Sequence, residues 1–200
     1  MAGGTSRAAA KAETSARLVR VARRHFFESG FAEASMDAIC ADASVTRGAL
    51  YHNFGGKAEL FEAVIRQIDD EMGDRVLAAA PEETVTLTGF IQACEAYLDL
   101  ALDPEVQKLV FLEAPGVLGQ RLREIDAEGF VAPLAEALAS LIAQGALKRA
   151  EVEPLARMLN GAMIEGALWI AAQDDQTAAL SKAKAALRAL ISGMAGASAT

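Results

Sequence analysis

Apolar residues recur along this chain at spacings of three and four rather than two, and that period belongs to helices. Leu18, Val21, Ala22 and Phe26 make a first stripe with Phe27 beside it, while Arg17, Arg20, Arg23 and Arg24 fall mostly on the other side. The pattern predicts a helix over 14–29, stopped by Gly30. A second helix starts at Ser35, a good N-cap, carries Asp37 in the first turn where the dipole favours an anion, and ends near Ala43. A short third helix over 47–53 is capped by Thr46. Val45 before that cap and Leu50 at the fourth helical position match a hydrophobic staple. Leu50 and Phe54 face inward together, so the four-apart pairs Arg47–Tyr51 and Gly48–His52 point away from the core. Gly55–Gly56 breaks the helix, and Lys57 opens a long one through about Ala78.

Five more helices follow. One covers 81–102 after a Pro–Glu–Glu start, and one runs from Asp103 and Pro104 to a stop at Pro115–Gly116. A longer one covers 120–146 with a bend near Gly129 or Pro133, and the last two cover 153–173 and 177–193.

A helix, a three-residue turn and a short helix with a polar outer face form the helix-turn-helix pattern. Such a helix is narrow enough for the major groove, and Gly48 keeps its surface low. The stretch "SMDAICADASVTRGALYHNFGGKAELFEAV" (35–64), and above all its run "VTRGALYHNF", resembles the DNA-binding domain of the TetR family of bacterial transcriptional regulators. The resemblance, covering about residues 14–64, implies an all-α protein of about nine helices. A three-helix DNA-reading domain (13–60) would precede a helical effector-binding and dimerisation domain (61–200). It also implies that Ser35 touches a phosphate, that Thr46, Arg47, Gly48, Tyr51 and His52 are recognition-helix contacts, and that Lys57 anchors a phosphate. The chain departs from the family pattern at Ser44, where Gly is usual and a left-handed backbone is often needed.

Charge sharpens the division. Residues 1–57 hold eight Lys/Arg against five Asp/Glu, and residues 58–200 hold 11 against 22. A polyanion can be met only by the first part. Residues 1–12 lack the apolar core of a signal peptide and read as a flexible tail, on which Arg7 and Lys11 can serve as a cationic arm. No apolar run is long enough to span a bilayer, and Cys40 and Cys94 read as buried free thiols, which suits a cytoplasmic protein with no membrane partner.

The segment from Ala162 to Ala172 is apolar nearly all round, and Leu180, Ala183, Leu187, Leu190 and Ile191 stripe the helix after it. Such helices need covering on every side, which predicts a homodimer through the last two helices. An internal effector pocket would draw on Phe90, Tyr97, Phe111, Glu113, Phe130, Met158, Met163 and Trp169, and would suit an apolar or aromatic molecule. Two histidines without spaced carboxylates or thiols give no metal site, and no P-loop, GxSxG or dinucleotide fingerprint occurs, so neither cofactor nor catalysis is expected. The expectation is a ligand-responsive, DNA-binding repressor on a palindromic operator. The alternatives are an activator with the same reading head or a helical ligand-binding protein.

Overall fold

The computed structural model of the chain describes residues 3–80 and 85–196, with side chains from residue 8 onward. Its contacts divide the chain into two compact units. One is drawn from residues up to 68 together with 108–122, and the other from 69–107 together with residues from 123 onward. The boundary falls within a helix at Ile68, and a segment that begins 40 residues later, at Lys108, belongs with the N-terminal helices.

In the first unit α1 runs Gly3–Glu33. The stretch expected as a tail is thus helical, in keeping with the strong helix formers Ala8, Ala9, Ala10, Lys11 and Ala12. Lys11 is exposed on this helix, and the side chain of Arg7 lies outside the described residues. Gly30 interrupts α1 at φ 80, ψ 164, a conformation essentially reserved for glycine. α2 spans Met36–Asp42, α3 Arg47–Phe54 and α4 Lys57–Ala78. Leu18, Ala22, Phe26, Ile39, Leu50, Leu60, Phe61 and Val64 are fully buried between them. Each large side chain among these contributes about 1.5–3 kcal/mol by leaving water. Phe26, Phe31 and Phe61 form an aromatic triangle with centroids 5.0–5.9 Å apart.

In the second unit α5 spans Leu87–Asp99. It starts later than the sequence pattern suggests because Thr86, not the Pro–Glu–Glu stretch, caps it: its Oγ1 accepts from Gly89 N at 3.1 Å. Residues 81–84, where that earlier start falls, lie outside the described residues. Asp103 accepts from Glu105 N as expected of a cap. The following stretch, Val106–Glu113, is wound as a π-helix and leads into α6, Ala114–Leu118. Pro115–Gly116 does not end this helix, since Pro at a helix start costs no hydrogen bond; Gly119 at φ 53 ends it. α7 (Gln120–Asp126) and α8 (Ala132–Ala143) are joined by a π-helical turn, Ala127–Val131, at the place where a bend is expected. α9 spans Val152–Ala171 and α10 Gln176–Gly193. With α7, the π-helical turn and α8 counted as one rod, nine helices stand among the described residues.

Candidate nucleic-acid interface and ligand cavity

The interface is built on α2, a tight turn and α3. Ser35 Oγ accepts from Ala38 N and Thr46 Oγ1 from Ala49 N, so both hydroxyl oxygens cap their own helices. Each hydroxyl proton stays free to donate outward. Between the helices Val45 N donates to Cys40 O and Ser44 N to Ala41 O. The turn closes only with Ser44 at φ 53, the left-handed conformation anticipated for the usual glycine.

Leu50 is fully buried and holds α3 against the core. Asn53 ties it to α1: its Nδ2 donates to Ala49 O and its Oδ1 accepts from Ser15 Oγ at 3.0 Å. Opposite these anchors, Arg47, Gly48, Tyr51 and His52 are all exposed. The Arg47 guanidinium stands 5.8 Å from the Tyr51 ring centroid and 3.2 Å from Asp37 Oδ1 on α2. Tyr51 first, then Asp37, push its pKa above the ordinary value. The Arg47–Asp37 pair escaped the sequence reading, which took Asp37 only as a partner of the helix dipole. Its signal was an acid in the first turn of α2 and a base at the first position of α3, ten residues later.

Lys57 is placed differently from a plain surface anchor. Its Nζ donates to Ala32 O at 2.9 Å and lies 5.0 Å from the Phe31 ring centroid. It locks the start of α4 to the end of α1.

The break at Gly30 has its own partners. Lys108 Nζ donates to Phe27 O at 2.6 Å, before the break, and Glu113 Oε2 accepts from Phe31 N at 2.6 Å, after it. A cation thus sits on orphan carbonyls and an anion on an orphan N–H, each matching the local helix dipole. Glu113 is therefore not a cavity residue. Phe111, buried in the same unit, is not one either. Both lie on Val106–Glu113, the stretch wound as a π-helix.

A cavity of about 140 Å³ lies within the second unit. Phe90, Tyr97, Phe130 and Met163 line it, with Cys94, Gly129 and Leu134 among its further walls. Tyr97 and Phe130 meet edge to face at 5.0 Å. Burial pushes the Cys94 thiol up to about 12, so it packs as a small apolar group rather than a thiolate. Met158 and Trp169, expected in this pocket, stand instead on the surface of α9, 75% and 42% exposed. Aromatic or sulfur content does not tell an inward from an outward helical position. Trp169 joins Ala162, Glu165, Gly166, Lys182, Ala186 and Leu190 around an open groove of about 600 Å³ between α9 and α10. Among the described residues no group of three or more potential ligands could hold a metal ion, and no helix is long and apolar enough to cross a membrane.

A short helix held by buried leucine, capped by threonine and turned outward with Arg, Tyr and His defines a helix-turn-helix DNA-binding protein. Residues 18–64 match the family model for bacterial regulatory proteins of the tetR family, and residues 87–194 match the tetracyclin repressor-like C-terminal domain. The chain is 30% identical over 145 residues to the transposon Tn10 TetC protein of Escherichia coli, covering 72% of this chain and 73% of that one. A TetR-family transcriptional regulator from Pectobacterium atrosepticum has the same fold at a TM-score of 0.81 and 40% identity, covering 94% and 96% of the two chains. RolR, solved with the ligand resorcinol, shares the fold at a TM-score of 0.73 and 17% identity, covering 96% of this chain and 92% of that chain. The chain belongs to the TetR family of bacterial transcriptional regulators. It is a DNA-binding regulator and not an enzyme.

Proposed function

We propose that this regulator is a repressor that grips a palindromic operator as a homodimer and lets go when a small apolar or aromatic molecule enters the second unit. The observation that carries the reading is the unsheathed outer face of α3, where Arg47, Gly48, Tyr51 and His52 are exposed while Leu50 is fully buried. Arg47 can donate bidentately to a guanine edge. Tyr51 and His52 can reach the adjoining backbone, and Ser35, Thr46 and Lys57 can donate to phosphates. Two such heads related by a two-fold axis, about 34 Å apart, read the two halves of a palindrome. α4 begins at Lys57 beside the recognition helix and continues past Ile68 into the second unit. A ligand that shifts it changes the spacing of the heads, and each lost base pair contact costs about 1–3 kcal/mol. That is within the differential affinity one ligand can supply. RolR, which shares the fold and was solved with resorcinol, supports a small-molecule input. Such a repressor acts in the cytoplasm, where its operator is.

Selection of bound fragments from random duplex DNA tests this directly. The expected result is a two-fold symmetric site whose recovery depends on Arg47. Recovery of asymmetric or unrelated fragments, equally well with Arg47→Ala, sinks the reading.

A further inference from the structure

The face of α3 that meets DNA has an acid beside its exposed arginine, which attraction to a polyanion does not explain. Asp37, in the first turn of α2, has a side chain 71% exposed, and that of Arg47, the first residue of α3, is 59% exposed. Arg47 Nη1 stands 3.2 Å from Asp37 Oδ1 and 3.5 Å from Oδ2. Both contacts run through Nη1, so the guanidinium edge formed by Nη2 and Nε is not committed to the carboxylate. The Tyr51 ring, one turn further along α3, holds the same group with its centroid 5.8 Å from Arg47 Cζ. An anion on one helix and a ring on the next therefore orient one guanidinium. As an exposed ion pair this contact adds little to stability. The dipole of α2 accounts for an acid in its first turn, but it does not require that acid to face Arg47.

α3 has no acidic residue in its own first turn. Arg47 stands there at the positive end of the helix dipole, where a cation is disfavoured and an anion is welcome. Left alone, an exposed arginine at a helix start makes a phosphate site, which is blind to sequence. The Asp37 carboxylate supplies the anion from within the protein. A guanidinium already facing a carboxylate gains less from a phosphate. Its uncommitted donors still match a base edge with two acceptors, such as O6 and N7 of guanine. A fixed orientation also reduces the rotamer freedom that a long arginine loses on docking. The carboxylate meanwhile repels the duplex as a whole, so it lowers affinity for DNA of any sequence.

We infer that Asp37 is a specificity-determining positioning residue: it withholds Arg47 from phosphates and aims it at a base edge, exchanging general affinity for selectivity. The inference rests on the docking of α3 in the major groove proposed above and deepens it. The test uses the full-length protein and two duplexes, the site that wild type recovers from random DNA and a scrambled duplex of the same length and composition. Asp37→Asn should bind the scrambled duplex about two- to fivefold tighter and steepen its salt dependence by about one phosphate contact. The ratio of specific to non-specific affinity should fall by about tenfold or more. Asp37→Glu, which keeps a carboxylate, should retain most of that ratio. In the Arg47→Ala background, Asp37→Asn should leave the ratio unchanged, because no guanidinium remains to be aimed. A ratio that Asp37→Asn does not move overturns the inference and leaves Asp37 as simple repulsion. An equal fall in the Arg47→Ala background overturns it too, since Asp37 would then read a base itself. So does weaker binding to both duplexes together with a lower melting temperature, which would assign Asp37 to the stability of α2. A recovered site without two-fold symmetry overturns the palindromic reading instead, and the same comparison then runs on that site. A wild-type protein that binds duplex DNA but enriches no sequence leaves no selectivity to set and overturns the inference, with DNA binding itself standing.

Discussion

Gly48 is a place where stability and function pull apart. An added Cβ there would meet nothing nearer than Thr46 Oγ1 at 3.9 Å, so no packing reason excludes alanine. Alanine is the better helix former by up to about 1 kcal/mol. Gly48→Ala is therefore expected to raise the melting temperature slightly while, on the proposed docking of α3 in the major groove, weakening operator binding by tenfold or more. Thermal melts and mobility shifts on the same preparation check both halves. Ser44 is the opposite case. Its positive φ costs a non-glycine residue about 1–2 kcal/mol, partly offset by the entropy that glycine would lose. Ser44→Gly should stabilise the fold by less than about 1 kcal/mol with DNA binding retained. Asp42 is a third residue with a distinct signature. It bonds His25 at 2.9 Å and Arg24 at 2.6 Å, tying α2 to α1. The His25 bond is the first cause that holds its carboxyl below the ordinary range. A depressed carboxyl contributes stability above its unfolded value and loses it as pH falls through the folded one. The melting-temperature gap between wild type and Asp42→Asn should be full at neutral pH and close below about pH 4. A gap that persists unchanged into acid would mean that the carboxylate contributes nothing.

At the scale of elements, the break in α1 asks for the most from its surroundings. Gly30 occupies a region of φ/ψ closed to other residues, and a Cβ there would also lie 3.0 Å from Glu113 Oε1. Gly30→Ala is expected to cost about 1–3 kcal/mol in chemical denaturation. Glu113→Ala leaves the Phe31 N–H without its acceptor and should cost about 1–3 kcal/mol, whereas Glu113→Gln keeps an acceptor and should lose clearly less. The same elements show what the sequence can and cannot say. The α2–α3 motif was legible because everything that shapes it is local: Ser35 and Thr46 as caps, Leu50 as wedge, a three-residue turn. Four of the eight expected pocket residues, Phe90, Tyr97, Phe130 and Met163, line one cavity because they lie on ordinary α-helical stripes or beside the bend the glycine and proline announce. Phe111 and Glu113 lie off the cavity, on Val106–Glu113, whose π-helical winding no local signal announces. The bridge from Glu113 to Phe31 joins residues 82 positions apart, and nothing local encodes it.

At the scale of the whole molecule, the question is what covers α9 and α10. Met158, Trp169 and Leu190 are 75%, 42% and 60% exposed on these two helices, and the groove beside them is floored by Ala162, Gly166 and Ala183. Large side chains standing beside small ones form a surface able to interlock with a copy of itself, as a two-fold interface requires. Glu165 and Lys182, the two charges on the groove, can exchange partners across the same axis. A dimer held in this way converts binding at the second half-site into an intramolecular event, and linked binding of this kind exceeds either half alone by about 10²–10⁴-fold. Trp169→Glu places a charge on the groove between α9 and α10 without touching α3. The variant should run as a monomer in sedimentation while keeping its helical circular dichroism. Its affinity for a two-half-site operator should fall by about two orders of magnitude or more, while its affinity for a single half-site stays unchanged. Equal loss on both DNAs would place the damage in the reading head. No loss on either, with a monomer in the centrifuge, would mean that one head suffices and that the symmetric operator is not how this protein recognises DNA.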